Sequence, residues 1–466
     1  MPNLPAQKSA KACCNSSGVF IEGTAHGDRL AERRTAQNRR VALGLKAEGA
    51  ARAVTQSWPR PSNTRERRDR PERVPVSSGA GIGYRRARAA EATGIDLPSA
   101  TPANEASLRA AIKIDIVVIG AGQAGLSSAY HLLKLGLKPG RNFIVLDSNE
   151  KPGGAWQHRW PSLTLSTVNR VHDLPGMGFS EVVPAGETEA KASVAVPDYF
   201  AAYEERFRLP VYRPVTVKVV CDRFERLRVE TDREAFSARG LINATGTWES
   251  PQIPDYPGAA LFQGRQLHSR DYRTADEFAG QHVVIVGSGI SALQHLDEIS
   301  KVTTTSWVTR REPQFRDTPF TPEDGRAAVA IVEDKVRNGL VPGSVVSVTG
   351  IPWTPALRAA AARGALKRLP MFSEITAHGV RWPDGTEQRA DVILWATGFR
   401  SSLDHLAPLQ LRGEKGGIVM AGRLATQVGK DPRIHLVGYG PSASTIGANR
   451  AGAAAARELA THLGLL

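Results

Sequence analysis

The sequence predicts an α/β fold with two three-layer domains, each built around a parallel sheet. From about residue 112 onward, short apolar strands alternate with amphipathic helices. A glycine-rich turn also follows an apolar strand and precedes a helix twice, at Gly120, Gly122 and Gly125 and again at Gly287, Gly289 and Ala292. Such strand–turn–helix units are typical of Rossmann-like domains that bind FAD or NAD(P).

Each glycine-rich turn, called a fingerprint below, has a physical reason for its spacing. The first glycine permits a tight turn, and the second lets the backbone approach a pyrophosphate at the helix N-terminus. The third small residue lets the helix pack closely on the strand. A chain with two fingerprints is expected to hold two dinucleotides, and two redox dinucleotides indicate electron transfer between them.

The residues after each fingerprint distinguish the two nucleotides. Asp147 ends the strand that follows the first fingerprint, where a carboxylate accepts hydrogen bonds from a ribose and repels a 2′-phosphate. Arg310 and Arg311 stand at the equivalent place after the second, and guanidinium groups bind phosphate. A charge-assisted hydrogen bond corresponds to about a tenfold to hundredfold preference for NADPH over NADH. We therefore predict FAD at the first site and NADPH at the second. The alternative is that these residues are ordinary solvated charges.

Most of the net charge of +14 lies in the first 112 residues, which contain 19 Lys and Arg against 10 Asp and Glu. This segment lacks apolar periodicity, and we expect a disordered basic N-terminal extension. It is either an arm for an acidic partner or an upstream extension from a misassigned start codon, since its Ala/Arg/Gly bias resembles translated GC-rich DNA. Its acidic residues argue against a targeting peptide. The rest of the chain gives no reason to expect a specific nucleic-acid partner.

The sequence has no apolar run of 18 residues and no secretion signal, so no transmembrane segment is expected. Cys13 and Cys14 are adjacent and have no metal-ligand spacing, and Cys221 lies alone in a predicted strand. This cysteine usage fits a cytoplasmic protein without a metal site.

The order of elements predicts that the NADPH domain is inserted into the FAD domain. We expect the extension at 1–112, the first part of the FAD domain at 113–258, the NADPH domain at 259–400 and a return to the FAD domain at 401–466. Within this frame, Pro197 is predicted to occupy the first position of a short amphipathic helix. The final Ala-rich helix, from about Thr445 to His462, is expected to direct its N-terminus at the flavin.

Five landmarks in this order resemble the class B flavoprotein monooxygenases over residues 113–466. They are the first fingerprint, Gly153-Gly154-Ala155-Trp156, Ala244-Thr245-Gly246, the segment 262–272 with the second fingerprint, and Ala396-Thr397-Gly398-Phe399. The segment 262–272 matches the identifying F-x-G-x-x-x-H-x-x-x-[YFW] motif through Phe262, Gly264, His268 and Tyr272. It ends in Tyr272-Arg273, which is closer to the heteroatom-oxidising and plant auxin-synthesis types than to Baeyer–Villiger enzymes.

The resemblance implies an NADPH-dependent monooxygenase. NADPH would reduce FAD, O₂ would add to form a C4a-(hydro)peroxyflavin, and one oxygen atom would pass to the nitrogen, sulfur or carbonyl of a small organic substrate. It implies catalytic roles for Asn169, His268 and Tyr272, although Asn169 also reads as a loop cap and the other two as interdomain packing residues. The cofactor-binding candidates are Gly120, Gly122, Gly125, Asp147, Gly154, Trp156, Thr245, Gly246, Gly287, Gly289, Ala292, Arg310, Arg311, Thr397, Gly398, Gly438 and Gly440.

Two other functions remain open at this point. A quinone- or ferredoxin-type NADPH reductase shares the layout of two nucleotide sites, whereas a disulfide reductase needs a redox cysteine pair that the core lacks. A non-catalytic flavoprotein that binds a polyanion through the basic extension is the more remote alternative. The substrate, the oligomeric state, including any homo-oligomer, and the coupling of NADPH oxidation to product are not determined by the sequence.

Overall fold

The computed structural model describes residues 111–168, 171–318, 321–343 and 349–466. The extension predicted for residues 1–112, with Cys13 and Cys14, therefore lies outside the described residues except for its last two positions, and so does Asn169. The α-helices whose full range is described are α1 Gln123–Lys134, α2 Ala192–Phe207, α3 Ile290–Ile299, α4 Pro322–Arg337, α5 Pro355–Ala362 and α6 Thr445–His462.

Nine strands form the first sheet, in the order β17-β18-β19-β6-β1-β2-β3, with β5 paired to β6 and β4 to β5. Strands β19, β6, β1, β2 and β3 are parallel to their neighbours in this order, and the remaining pairs are antiparallel. The strands are β1 Ile112–Ile119, β2 Phe143–Leu146, β3 Val211–Tyr212, β4 Val217–Arg223, β5 Arg226–Thr231, β6 Ala235–Asn243, β17 Met420–Ala421, β18 Gln427–Val428 and β19 Ile434–Leu436.

The second sheet is fully parallel, in the order β12-β9-β8-β16-β7. A short parallel pair, β10 with β11, and an antiparallel meander of β13, β14 and β15 accompany it. The strands are β7 Arg265–His268, β8 Val283–Val286, β9 Thr305–Thr309, β10 Phe315–Arg316, β11 Ile351–Pro352, β12 Arg368–Pro370, β13 Glu374–Thr376, β14 Gly379–Arg381, β15 Glu387–Arg389 and β16 Val392–Trp395. The chain thus leaves the first sheet after β6 and returns to it at β17.

Both sheets are covered on both faces, which explains why their central strands are continuously apolar. In β1, Ile116 and Val118 pack on the side of α1, α2 and α6, whereas Val117 and Ile119 pack on the side of β4 and β5. The second sheet repeats this plan, with α3 on one face and the β13–β15 meander on the other. The predicted three-layer α/β architecture is confirmed.

One predicted helix start is wrong. Helix α2 begins at Ala192, five residues before Pro197, which lies inside the helix. The Ala192 N–H donates to the Leu163 carbonyl at 2.9 Å, and both residues are buried in the core of the second sheet. Val196, Tyr199, Phe200 and Tyr203 are buried in the core of the first sheet. Tertiary packing of this face therefore outweighs the cost of the interior proline.

Candidate functional site

The first fingerprint forms a turn in which two glycines leave no space for a side chain. Gly120 has φ +98°, and a Cβ there would lie 2.5 Å from the Ala244 carbonyl oxygen. A Cβ on Gly125 would lie 1.8 Å from the Gly120 carbonyl oxygen. Gly122 caps α1, whose first N–H groups have no partner within the helix. This turn fits a pyrophosphate, which it would contact through backbone groups.

Asp147 is buried and held against the first fingerprint. Its carboxylate accepts the Ala121 N–H at 2.6 Å and both the backbone and side-chain N–H groups of Asn149 at 2.8 and 2.9 Å. The Asn149 side-chain oxygen contacts the His158 ring at 2.8 Å. A carboxylate has about four acceptor positions, so Asp147 retains capacity for a ribose hydroxyl.

The predicted Gly-Gly-x-Trp segment lies across the first fingerprint. Gly154 has φ +52°, and a Cβ there would come 2.9 Å from the Gly122 Cα. Gly153, at φ +128°, lies against the ring of Pro197 in the same way. Trp156 is half-buried and packs against the cores of both sheets. These glycines bring a second stretch of backbone to the edge of the proposed FAD site.

The second fingerprint repeats the geometry of the first. Gly287 has φ +145°, and a Cβ there would lie 2.2 Å from the Ala396 carbonyl oxygen. Gly289 caps α3, and a Cβ on it would meet nothing within 4 Å in the described structure. Ala292 is fully buried at the packing position. In both fingerprints the first glycine therefore packs against the alanine carbonyl of an Ala-Thr-Gly segment.

The segments that connect the sheets, one after β6 and one after β16, pair as an antiparallel ribbon. The Gln252 N–H donates to the Gly398 carbonyl at 2.9 Å, and the Arg400 N–H donates to the Ser250 carbonyl at 2.8 Å. Both predicted Ala-Thr-Gly segments therefore lie at the junction between the sheets.

The threonines of these segments secure the ribbon. Thr245 Oγ1 donates to the Ser402 carbonyl at 2.6 Å, while the Ser402 N–H donates to the Gly246 carbonyl at 3.0 Å. Thr397 Oγ1 donates to the Gln252 carbonyl. Both threonine hydroxyls therefore stabilise the backbone of the ribbon.

Arg310 and Arg311 are exposed immediately after β9. A third guanidinium reaches this strand end, because Arg368 Nε donates to Thr309 Oγ1 at 2.7 Å. Sequence reasoning missed Arg368, which comes from the distant strand β12. Three arginines thus lie near the place where the ribose of a nucleotide on the second fingerprint is expected.

The identifying motif joins the second sheet to the ribbon through buried polar contacts. His268 is fully buried; its Nε2–H donates to the Gly398 carbonyl at 2.9 Å, and its Nδ1 accepts the Arg270 N–H at 3.1 Å. Burial lowers the pKa of His268, and the Arg270 N–H, which needs an unprotonated Nδ1 as its acceptor, also favours the neutral ring. The ring also makes an edge contact with Phe399. In the described structure His268 thus contacts protein groups, as a positioning residue would.

The Glu298 carboxylate on α3 accepts three side-chain hydrogen bonds, and the sequence analysis did not identify it. It accepts hydrogen bonds from the Tyr272 hydroxyl at 2.6 Å, the Ser162 hydroxyl at 2.8 Å and the Trp160 indole N–H at 3.2 Å. The Trp160 and Tyr272 rings also pack around the fully buried His295. Tyr272 therefore links the motif to the fingerprint helix and to the segment that follows Trp156.

The N-terminus of α6 lies beside that of α1. Gln123 Nε2 donates to Asn449 Oδ1 at 3.0 Å, and a Cβ on Gly438 would lie 3.5 Å from the Ala124 Cβ. Gly440, at φ +57°, packs against Val336. Two helix N-termini thus lie side by side, and that they face a flavin stays a prediction.

Asn169 lies outside the described residues, and its catalytic role stays a prediction. Its neighbours Leu165, Val168, Val171 and His172, together with Phe179, line a cavity of about 290 Å³. The cavity lies between residues that pack on the cores of both sheets, and its volume has room for a small organic molecule.

Comparisons with known proteins extend this description. A family model described as pyridine nucleotide-disulphide oxidoreductase matches residues 117–323. A solved flavin-containing monooxygenase from Stenotrophomonas maltophilia is 36% identical with a TM-score of 0.63, and the match covers 75% of this chain and 99% of that one.

Two curated relatives are more distant. The oxidoreductase CzcO of Bacillus velezensis, itself uncharacterised, is 28% identical over 62% of this chain and 82% of its own length. Indole-3-pyruvate monooxygenase YUCCA1 of Oryza sativa subsp. japonica is 28% identical over 62% of this chain and 77% of its own. Among the helices that the structure describes, none is long and apolar enough to cross a membrane.

Proposed function

Because this chain belongs to the class B flavoprotein monooxygenases, we propose that it binds FAD and NADPH and transfers one oxygen atom of O₂ to a small organic substrate. The observation that carries the proposal is that the same turn occurs twice, and each turn is a cradle for a nucleotide. In the first cradle Gly120 lies against the Ala244 carbonyl, and in the second Gly287 lies against the Ala396 carbonyl. FAD belongs on the first cradle, next to Asp147, and NADPH on the second, next to Arg310 and Arg311. When bound, the two cofactors supply hydride transfer and O₂ activation.

The protein's own contribution is to bind, orient and exclude water. The backbone of the two fingerprints would hold the pyrophosphates, and the ribbon, with His268 bonded to Gly398, joins the two sheets that carry them. Glu298 and Tyr272 hold α3 against the segment that continues from Trp156. Asn169 is proposed to donate a hydrogen bond at the reacting centre. The FAD half comprises 113–258 and 401–466, and the NADPH half comprises 259–400.

The proposal is tested with the purified full chain. We expect bound FAD, bleaching of its visible absorbance by NADPH without air, and one ¹⁸O atom in the product when a substrate is turned over under ¹⁸O₂. A protein that NADPH bleaches but that leaves no label in any amine, sulfide or ketone tested, and passes electrons to quinones or ferredoxin, is a reductase instead. A protein that takes up no FAD contradicts both functions.

A further inference from the structure

The hairpin of β4 and β5 exposes an aromatic side chain to solvent. Its turn consists of two residues, Phe224 and Glu225, since β4 ends at Arg223 and β5 begins at Arg226. Phe224 is 94% exposed, the largest exposed fraction of any large apolar side chain in the described structure. Single exposed apolar residues are ordinary on a protein surface, but the backbone of this one is not.

Phe224 lies in the left-handed region, at φ +61°. The first position of a two-residue hairpin turn needs a positive φ, which glycine, asparagine or aspartate normally supplies, and a bulky residue is strained there. Neighbouring contacts hold this conformation. Arg433 donates to the Phe224 carbonyl at 2.6 Å and to the Asp222 carboxylate at 3.1 Å. The turn is therefore fixed with the ring at its tip, although the ring contributes nothing to the core.

A groove of about 320 Å³ lies between the segment 182–190 and the first half of α2. Most of its surface is apolar, and Val183, Val194 and Ala195 are among the residues that line it. The Val194 side chain is 52% exposed. Since a cavity of about 150 Å³ already holds a benzene ring, this groove has room for a phenylalanine side chain.

The groove and the hairpin lie on opposite faces of the first sheet. Helix α2 packs on one face, whereas β4 and β5 pack on the other. Because Arg433 fixes the turn, a molecule cannot place Phe224 in its own groove. A contact between the two surfaces therefore joins two copies of the chain.

The charges beside the two surfaces are complementary. Arg223 and Glu225 flank the exposed ring, and the groove carries the exposed side chains of Glu187, Asp198 and Lys191. Among the described residues, no ion pair includes any of these five side chains. Opposite charges across an interface favour the correct partner, and aromatic side chains in pockets are frequent anchors of interfaces.

We propose that this chain self-associates by inserting Phe224 of one copy into the groove of a second copy, with Arg223 facing the acidic residues of the groove and Glu225 facing Lys191. An aromatic side chain buries about 150–250 Å², far less than the total of about 1,200–2,000 Å² in a stable interface, so the association is weak and reversible. It joins two different surfaces, and every copy offers both. This self-association does not depend on the oxygenase activity.

Sedimentation velocity of the full chain, from about 1 µM to 1 mM, measures the association. The sedimentation coefficient of the wild type should rise with concentration. Phe224→Asn removes the ring and Val194→Arg places a cation where Arg223 approaches, so both variants should lose this rise. Neither should lower the thermal midpoint, because both side chains are exposed and asparagine tolerates a positive φ. Leu261→Asn, the control at a residue that is 68% exposed outside both surfaces, should associate as wild type does.

Mixing the two variants tests the contact directly. Phe224→Asn keeps its groove and Val194→Arg keeps its ring, so the mixture should form a one-to-one pair that neither variant forms alone. A wild type whose sedimentation coefficient does not change with concentration overturns the proposal, and so does a mixture in which no pair forms. If Phe224→Asn abolishes the association and Val194→Arg leaves it intact, the ring binds outside the groove and the proposal is wrong.

Discussion

The Tyr272 hydroxyl donates a 2.6 Å hydrogen bond to Glu298, and this contact joins the identifying motif to the helix of the second fingerprint. Hydrogen bonds to charged groups contribute about 1.5–3 kcal/mol. Tyr272→Phe should lower the free energy of unfolding by about this amount and raise the KM for NADPH, because α3 loses one of its anchors, while FAD content stays normal. Steady-state kinetics and denaturant unfolding measure both effects.

The control for this variant is Tyr203→Phe. The Tyr203 hydroxyl donates to the Pro175 carbonyl at 2.7 Å beside the first sheet, so its loss should reduce stability without changing the KM for NADPH. If Tyr272→Phe and Tyr203→Phe have the same KM for NADPH, the Tyr272 contact has no part in nucleotide binding.

The two glycines of the second fingerprint should respond differently to alanine. Gly287→Ala places a Cβ 2.2 Å from a carbonyl oxygen at a positive φ and should destabilise the fold. Gly289→Ala meets nothing within 4 Å, so the thermal midpoint should stay near that of wild type while the KM values for NADPH and NADH both rise. If Gly289→Ala leaves the KM values for NADPH and NADH unchanged, the pyrophosphate does not bind at this turn.

Arg310 should determine the choice of nicotinamide cofactor. Arg310→Ala is expected to raise the KM for NADPH about tenfold to a hundredfold and to leave that for NADH nearly unchanged, because only NADPH carries the 2′-phosphate. The exposed Arg389, changed to alanine, serves as the control for loss of one surface charge. An equal effect on both cofactors would assign the phosphate to Arg311 or Arg368.

Stability should fall in acid, and His405 allows one contribution to be isolated. Burial lowers the pKa of His405 to about 4, below the 6.5 of an unfolded histidine, and its Nε2 contacts Asn243 Oδ1 at 2.7 Å. The unfolded chain therefore binds a proton that the folded chain excludes. The stability present above pH 6.5 is lost toward pH 4, by at most about 1.4 kcal/mol per pH unit.

Replacing His405 by Gln should flatten this dependence between pH 6.5 and 4. Urea unfolding at pH 7, 5.5 and 4.5 measures the free energy of unfolding of each protein. The control is His378→Gln, because His378 is exposed. The buried His295 and His435, whose pKa values burial lowers to about 3, are present in both proteins and cancel in the comparison. If the free energy of unfolding falls with pH equally in His405→Gln and wild type, His405 does not contribute to the loss of stability in acid.

The sequence predicted the features that depend on local pattern. Gly120 and Gly287 could be recognised because a tight turn between strand and helix needs glycine at that spacing, and the layers followed from strand and helix periodicity. Glu298 and Arg368 could not, since each is a single polar residue whose partners come from distant parts of the chain. The start of α2 was missed for the same reason: its first turn is anchored by Leu163, outside the helix.

The ribbon of Ser250–Gln252 with Gly398–Arg400 also bears on protein engineering. A chimaera that receives its second sheet from another oxygenase must be spliced at two points, and the chain crosses between the two sheets through both strands of this ribbon. Junctions placed there would combine strands from different parents and lose the backbone pairing between them. Recombinants should therefore keep both ribbon strands from one parent, with the breakpoints moved outward into the loops on either side.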